Sequence, residues 1–526
     1  MLLKKLFYIF QFIQHNKKIF KKKIPNTKRI VLIENFDYKP SIIAFSYFTN
    51  ILADIHKAKI ISYNVNFFNL KTFIRYYFSK VFFFSHYNIF KSFNVIENLT
   101  PNKIYNQNLL KKLYSQNLKK LKNKRDILKI KFLNIKVGDL IYDEYLRSYD
   151  LATIELDSES FKKYLYSFTE LFLFWHNYFK KNKVKAIIVS HTSYFMGIPA
   201  RIAIYKKIKT YNIGLSNTYF LSKKNHLKLS GFKHYRKDFL KIKNYLNKDL
   251  LKISKHILNR KILGKDSAVN NLRSNVPNSV FGRQSFSIKN HKSKKKILIA
   301  SHCFTDAVHA FGDALFPDFY EWMDYLGKLS NKTNYEWIIK IHPSQYDLNV
   351  KKMNYFTKKY KKFHLLPKFI THNQIITENK ILCVLTVYGS VGYEYPLFGI
   401  PVINASSKNP HMAYNFSYNP SSIKKYEYLI KNVKNLKDNF YNYKKEIYEY
   451  YYVRMMSEYH LFRNPQKVRN KLGKNYSSSL IFNEWLKQFN TKFHQERISN
   501  YKKFIKSNRF RMLGDYLKNN SDYLDI

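Results

Sequence analysis

Trp337-Ile338-Ile339-Lys340-Ile341-His342-Pro343 and the later run Ile381-Leu382-Cys383-Val384-Leu385-Thr386, leading into Tyr388-Gly389-Ser390-Val391-Gly392-Tyr393-Glu394, decide how this chain reads. Each is a short apolar strand that ends in polar, small or imidazole-bearing residues. Just upstream, Ile297-Leu298-Ile299-Ala300 ends in Ser301-His302, and just downstream stands Gly399-Ile400-Pro401-Val402-Ile403. Continuous Ile/Val/Leu runs of this length suit parallel strands buried on both faces. Open α/β sheets place ligands at the carboxyl ends of such strands, where turns and helix starts collect polar groups.

The same pattern recurs nearer the N-terminus. Arg29-Ile30-Val31-Leu32-Ile33 and Lys59-Ile60-Ile61-Ser62-Tyr63 read as strands flanking a helical pattern that runs through Ile55, a parallel βαβ unit. Lys185 to Ser190 reads as another strand, ending at His191, and Tyr211 to Leu215 as a further one. The fold class expected is therefore α/β, with two Rossmann-like lobes and a helical C-terminal segment. We divide the chain into a basic amphipathic N-terminal segment (1–27), an N-terminal α/β lobe (28–225), a linker or insertion (226–295), a C-terminal α/β lobe (296–430) and a Tyr/Lys-rich helical segment (431–526) with Trp485 as its packing anchor.

At 526 residues, with 45% hydrophobic and 18% aromatic residues, the chain can fill two cores and is not a disordered polymer. Its two cysteines, Cys303 and Cys383, lie in or beside strands, which suits a reduced compartment without disulfides. The net charge is +58, from 93 Lys and Arg against 35 Asp and Glu. The lysines are spread along the chain and no nucleic-acid-binding motif accompanies them, so a nucleic-acid partner is not expected; an anionic membrane or polymer is. No segment reaches the roughly 18 apolar residues needed to span a bilayer. Met1 to Lys23 lacks the long apolar core and cleavage site of a signal peptide. It reads either as a basic amphipathic helix on an anionic inner membrane surface or as a helix packed on its own domain. The location expected is cytoplasmic, with peripheral membrane contact.

His342, held at a strand end by the stiff Pro343, has the placement needed to bind or protonate a phosphate leaving group. Gly389 allows close backbone approach, Ser390 offers a hydroxyl, and Glu394 falls one helical turn beyond Ser390, on the same face. Ser301, His302, Asp306 and His309 cluster after one strand, and imidazole with carboxylate would suit a divalent ion, yet we expect no bound metal. In the N-terminal lobe, Glu34 and Asp37 follow the first strand and His191 follows another, positions open to a general base. Asp139, Asp143, Glu144 and Arg147 gather three acids and an arginine in a few residues, unusual in so basic a chain.

Taken together, Ser301 to His411 resembles the C-terminal domain of two-lobed (GT-B type) transferases that build bacterial capsule and lipopolysaccharide. It is closest in flavour to capsule polysaccharide biosynthesis proteins and CMP-sugar-using transferases with a His-Pro motif. The resemblance implies a glycosyltransferase that moves a sugar from a nucleotide-sugar donor to a saccharide or lipid-linked acceptor, with no cofactor. It implies that the C-terminal lobe binds the donor, with His342 and Ser390 on its phosphates and Glu394 on its nucleoside; Ser301, His302 and Gly389 complete the donor side. Asp37, His342 and Asp306 are then the catalytic candidates, with Asp37 activating the acceptor hydroxyl. Glu34, Asp139, Asp143, Glu144, Arg147 and His191 form the acceptor side. The family often carries two serines at the turn where this chain has Gly389-Ser390. Polyol-phosphate transferases of the teichoic-acid type carry similar signatures, so transfer of a polyol phosphate from a CDP-linked donor stays open. So does a non-catalytic, membrane-associated assembly protein, and an epimerase acting on a UDP-sugar would use a similar fold.

Overall fold

The computed structural model describes residues 2–21, 25–67, 74, 84–102, 106–215, 217–225, 232–246, 249–263, 295–342, 346–367, 370–436, 440–462 and 465–514. Pro343 of the His-Pro pair lies outside these residues. Two compact units make up the chain: Met1–Ile141 with Leu156–His226 and Glu458–Ile526, and Tyr142–Glu155 with Leu227–Ser457.

The first unit carries strands β1 (Arg29–Glu34), β2 (Lys59–Tyr63) and β3 (Val95–Leu99), a short hairpin of β4 (Lys131–Phe132) and β5 (Ile135–Lys136), then β6 (Lys183–Val189), β7 (Lys209–Ile213) and β8 (Thr218–Leu221). Its main sheet has the order β3-β2-β1-β6-β7-β8, with every pair parallel except the antiparallel β7–β8. This is the doubly wound order, and its direction reverses between β1 and β6. β1 is buried along five of its six residues, as a central parallel strand must be.

Helix α1 (Leu2–Ile19) lays Ile9, Phe12 and Ile13 into the core of this unit. Helix α2 (Lys39–His56) starts with Pro40 in its first turn and is buried from Pro40 through Leu52, because it is covered on more than one side. The covering helices come from the far end of the chain: α2 meets Leu480–Gln488 through Tyr47 against Trp485 (5.4 Å between rings), and Thr491–Ser507 through Phe48 against Tyr501 (5.0 Å). Trp485 is fully buried. Backbone hydrogen bonds from Met512 to Thr218 (2.9 Å) and from Phe220 to Phe510 (2.8 Å) fasten that end of the chain to β8.

The second unit holds β9 (Lys296–Ala300), β10 (Glu336–Lys340), β11 (Phe363–Leu365), β12 (Ile381–Thr386) and β13 (Val402–Asn404), all parallel, in the order β11-β10-β9-β12-β13. The reversal point falls between β9 and β12, the strands that end in Ser301-His302 and in the Tyr388–Ser390 turn. On one face Leu298, Ala300, Ile338 and Val384 pack against Val391, Tyr395, Ile370 and Ile375. Within 226–295, the described residues form two helices, Tyr235–Leu246 and α3 (Leu250–Ile262), which pack on helix Phe440–Met455 of the same unit.

The chain is thus α/β with two Rossmann-like lobes and a helical C-terminal region. Strands β3, β8 and β11 and the β4–β5 hairpin are additions to the strands that the sequence predicts. Among the described residues, no helix is long and apolar enough to cross a membrane.

Candidate functional site

In the second lobe the carboxyl ends of β9, β10 and β12 are sewn together by side chains. Ser301 Oγ donates to the Lys340 carbonyl and accepts from the His342 backbone N–H, both at 3.1 Å, so the His342 loop is fixed to β9. His302 is buried, stacked on Phe319 (4.6 Å), and its Nε2 accepts from the Val387 N–H at 3.1 Å. Thr386 Oγ1 stands 3.0 Å from the same nitrogen and accepts from the Gly389 N–H at 3.2 Å. His302 therefore carries its proton on Nδ1, and its Nε2 is spent on shaping the β12 turn. Burial, and then the charge of nearby His342, push its pKa down to about 3.

That turn presents Ser390 to solvent beside the half-buried Tyr388 and Gly389. A side chain at 389 would bring its Cβ within 2.8 Å of Thr386 Oγ1, so only glycine lets the turn close. Tyr388 braces it by donating to the Ala307 carbonyl at 2.9 Å.

Glu394 is buried, with both oxygens engaged: Oε2 accepts from Ser390 Oγ at 3.1 Å and Oε1 meets Lys261 Nζ of α3 at 2.6 Å. Burial opposes charge on Lys261, but Glu394 outweighs it and holds the ammonium above its ordinary range. Lys261 also reaches the Tyr393 hydroxyl at 2.8 Å. In this arrangement Glu394 fixes Ser390 and does not stand open to a ribose.

Lys340 adds a cation to this edge of the sheet. It ends β10 in register with Ala300, on the face lined by Leu298 and Ile338. Burial pulls its pKa down to about 8, and it lies near enough to His372 to depress that imidazole in turn. His372 is buried, with Nδ1 2.7 Å from the Tyr395 hydroxyl, and is pushed down to about 4, chiefly by burial. His302 and His372 are both enclosed, whereas His342 keeps a partly exposed side chain at the strand end.

A third cluster was half legible. Asp143 Oδ1 meets His309 Nδ1 at 2.7 Å, and Asp143 Oδ2 accepts the His309 backbone N–H at 3.1 Å, with both side chains essentially buried. Asp318 caps helix Phe319–Ser330 and accepts from Tyr142 (2.6 Å) and Thr153 (2.7 Å). These bonds bind 142–155 into the second lobe. Elsewhere in that run Glu144 accepts from Ser148, and Arg147 is exposed. Asp306 is exposed and caps its own turn through the Ala307 N–H.

In the first lobe, Glu34 sits at the carboxyl end of β1 and is buried. It accepts from the Ser190 N–H (2.6 Å) and from Ser190 Oγ (2.8 Å), just past β6, across the reversal point of the sheet. Burial pushes its carboxyl up to about 7, against the pull of both Ser190 bonds. Asp37 is exposed and bonded to His86 and Lys39; the His86 bond leads in holding it well below the usual carboxylate range. Asp139 is engaged by Arg201, whose guanidinium also reaches the Lys136 carbonyl at 3.1 Å. His191 is half-buried and accepts from the Ser193 N–H through Nδ1 at 3.2 Å.

Glu34 makes a pH-dependent stability test. Its value rises from 4.5 to about 7 on folding, so its contribution is full below about pH 4.5 and is lost as the pH rises through 7. Glu34→Gln can keep both Ser190 contacts and has no charge to bury. It is expected to unfold later than wild type at alkaline pH, by on the order of 2–3 kcal/mol, and to match it near pH 5. Thermal melts at the two pH values check this; equal melting throughout would show that Glu34 is not desolvated.

No family model and no curated protein matches the chain. Among solved structures it is similar to UDP-GlcNAc 2-epimerase from Neisseria meningitidis bound to UDP-GlcNAc, at 10% identity over 87% of this chain and 100% of that one, with a TM-score of 0.22. It is similar to the Methanocaldococcus jannaschii UDP-GlcNAc 2-epimerase in complex with UDP-GlcNAc and UDP at 12% identity over 78% and 94%, TM-score 0.24. It is also similar to a UDP-glucosyltransferase from Polygonum tinctorium at 10% identity over 88% and 98%, TM-score 0.23. Scores this low assign no family, and the two-lobe reading rests on the strand orders themselves.

Proposed function

We infer that this chain is a nucleotide-sugar-dependent glycosyltransferase of the two-lobed (GT-B) type, whose donor phosphates bind at the carboxyl ends of β9, β10 and β12. The observation that carries this reading is the placement of His342, Ser390 and the desolvated Lys340 at the carboxyl ends of neighbouring strands of one parallel sheet. A half-buried ammonium with a lowered pKa gains most from an anionic ligand, because the ligand offsets the solvation that folding removed. His342 is assigned the phosphate as proton donor or hydrogen-bond partner, and Ser390 a neighbouring oxygen, its hydroxyl turning from Glu394 to the ligand. Glu394 and Lys261 act as positioning residues that hold Ser390.

On the acceptor side, the first lobe offers this reading two carboxylates: Asp37 is exposed but paired with Lys39 and His86, and Glu34 is raised to about 7 but buried with both oxygens on Ser190. Capsule or lipopolysaccharide assembly, on a saccharide or lipid-linked acceptor, is the setting that the sequence resemblance implies.

The test is a thermal-shift panel of the full chain against CMP, CDP, UDP, GDP and their sugar conjugates, beside His342→Ala and Ser390→Ala. A ligand that binds only the native state raises the melting temperature by mass action. We expect one nucleotide to shift wild type and to lose most of that shift in both variants. No shift with any nucleotide at millimolar concentration would sink the transferase reading and favour an assembly protein.

A further inference from the structure

Helix α1 has two different sides. Ile9, Phe12, Ile13 and Asn16 face the first lobe, with Phe12 stacked on Phe482 at 4.1 Å and Ser479 Oγ donating to the Lys5 carbonyl at 2.9 Å. The helix is therefore fixed to the body of the lobe and is not a loose tail. Its outward side carries Leu2, Leu3, Phe7 and Phe10, exposed by 71%, 82%, 54% and 39%. Leu3, Phe7 and Phe10 follow at i, i+4 and i+7 and so share one stripe. Farther along that stripe the exposed residues become Gln14, Lys17 and Lys18, with Lys4 beside its apolar end.

Charge selects the occupant of this face. From Met1 to Ile33 the chain has nine basic residues (eight lysines and Arg29) and no acid before Glu34. A second copy of the chain would bring the same positive charge to the contact and be repelled. A bilayer with anionic headgroups meets both halves of the pattern, because the leucines and phenylalanines enter the acyl boundary while the lysines stay at the phosphates. We propose that the outward face of α1 docks the first lobe onto an anionic lipid surface, lying in the interface without spanning it. This does not depend on the transferase reading.

The experiment is co-sedimentation of the full chain with vesicles of phosphatidylglycerol mixed into phosphatidylcholine, and with phosphatidylcholine alone. We expect binding to the anionic vesicles only, and about tenfold weaker binding when Leu3→Ser, Phe7→Ser and Phe10→Ser are combined. Because these side chains point outward, the variant should melt with wild type. As a second readout, Phe7→Trp should show blue-shifted fluorescence on anionic vesicles. Unchanged binding by the triple variant would mean that the diffuse positive charge of the whole surface is responsible and would overturn the proposal. So would a Phe7→Trp spectrum indifferent to lipid, or self-association through α1 in place of vesicle binding.

Discussion

Glu394→Ala is expected to destabilise the second lobe by about 3–5 kcal/mol, the largest effect of any single substitution considered for the site. The reason is the ammonium left behind. Lys261 retains 15% side-chain exposure and Glu394 3%, so the pair sits in a medium where an uncompensated charge cannot be solvated. Its other contacts, the Tyr393 hydroxyl and the Tyr393 ring at 5.2 Å, do not replace a carboxylate. Replacing both partners with apolar residues of similar size, Glu394→Leu with Lys261→Met, should recover most of the loss, because the desolvation cost disappears along with the attraction. Chemical denaturation of the two single variants and the double variant checks this. A loss below about 1 kcal/mol in Glu394→Ala would place the pair in the surface class and remove the support it gives Ser390.

Lys340→Met is expected to do the reverse, stabilising the free protein while removing its response to nucleotide. Because burial lowers the Lys340 pKa from 10.5 to about 8, the penalty is absent above 10.5, grows as the pH falls through 8 and is complete at neutrality. The full shift would correspond to about 3 kcal/mol, and partial solvent access to the ammonium reduces it to roughly 1–2 kcal/mol. Lys340→Met should therefore melt above wild type at pH 7 and converge with it in strongly alkaline buffer. The gain in stability joined to loss of binding is the signature of a charge kept for a ligand. If Lys340→Met melts below wild type and still responds to nucleotide, the ammonium serves the fold and the phosphate site lies elsewhere.

Much of the architecture was legible because central parallel strands are written as continuous apolar runs. β1, β2, β6, β9, β10 and β12 all announce themselves that way, and the Tyr388–Glu394 turn follows its strand as the sequence suggests. β3 (Val95–Leu99) escaped because Glu97 and Asn98 interrupt it at the sheet edge. β11 is three residues long. The docking of Leu480–Gln488 and Thr491–Ser507 onto α2 rests on contacts between the two ends of the chain, which no local pattern encodes. The site was legible in the same uneven way. His342 and Ser390 stood out from their neighbours, and Lys340 was available as the single charge inside Trp337 to Ile341. Burial separates Glu34 from Asp37 in a way no local pattern encodes: the carboxylate that ends a central strand loses solvent, while one three residues later regains it and meets His86 and Lys39. His309 and Asp143 lie 166 residues apart, and their pairing has no sequence signal.

The most direct measurement on the central claim is the fate of the donor itself. Wild-type protein would be mixed with the nucleotide sugar that raises its melting temperature most, together with saccharide acceptors, and followed by phosphorus and proton NMR. We predict that free nucleoside phosphate accumulates as the sugar–phosphate bond breaks, and that His342→Ala stops the release. A donor whose phosphate linkage stays intact, with its sugar either unchanged or inverted at one centre, would contradict transfer and point to binding alone or to epimerisation.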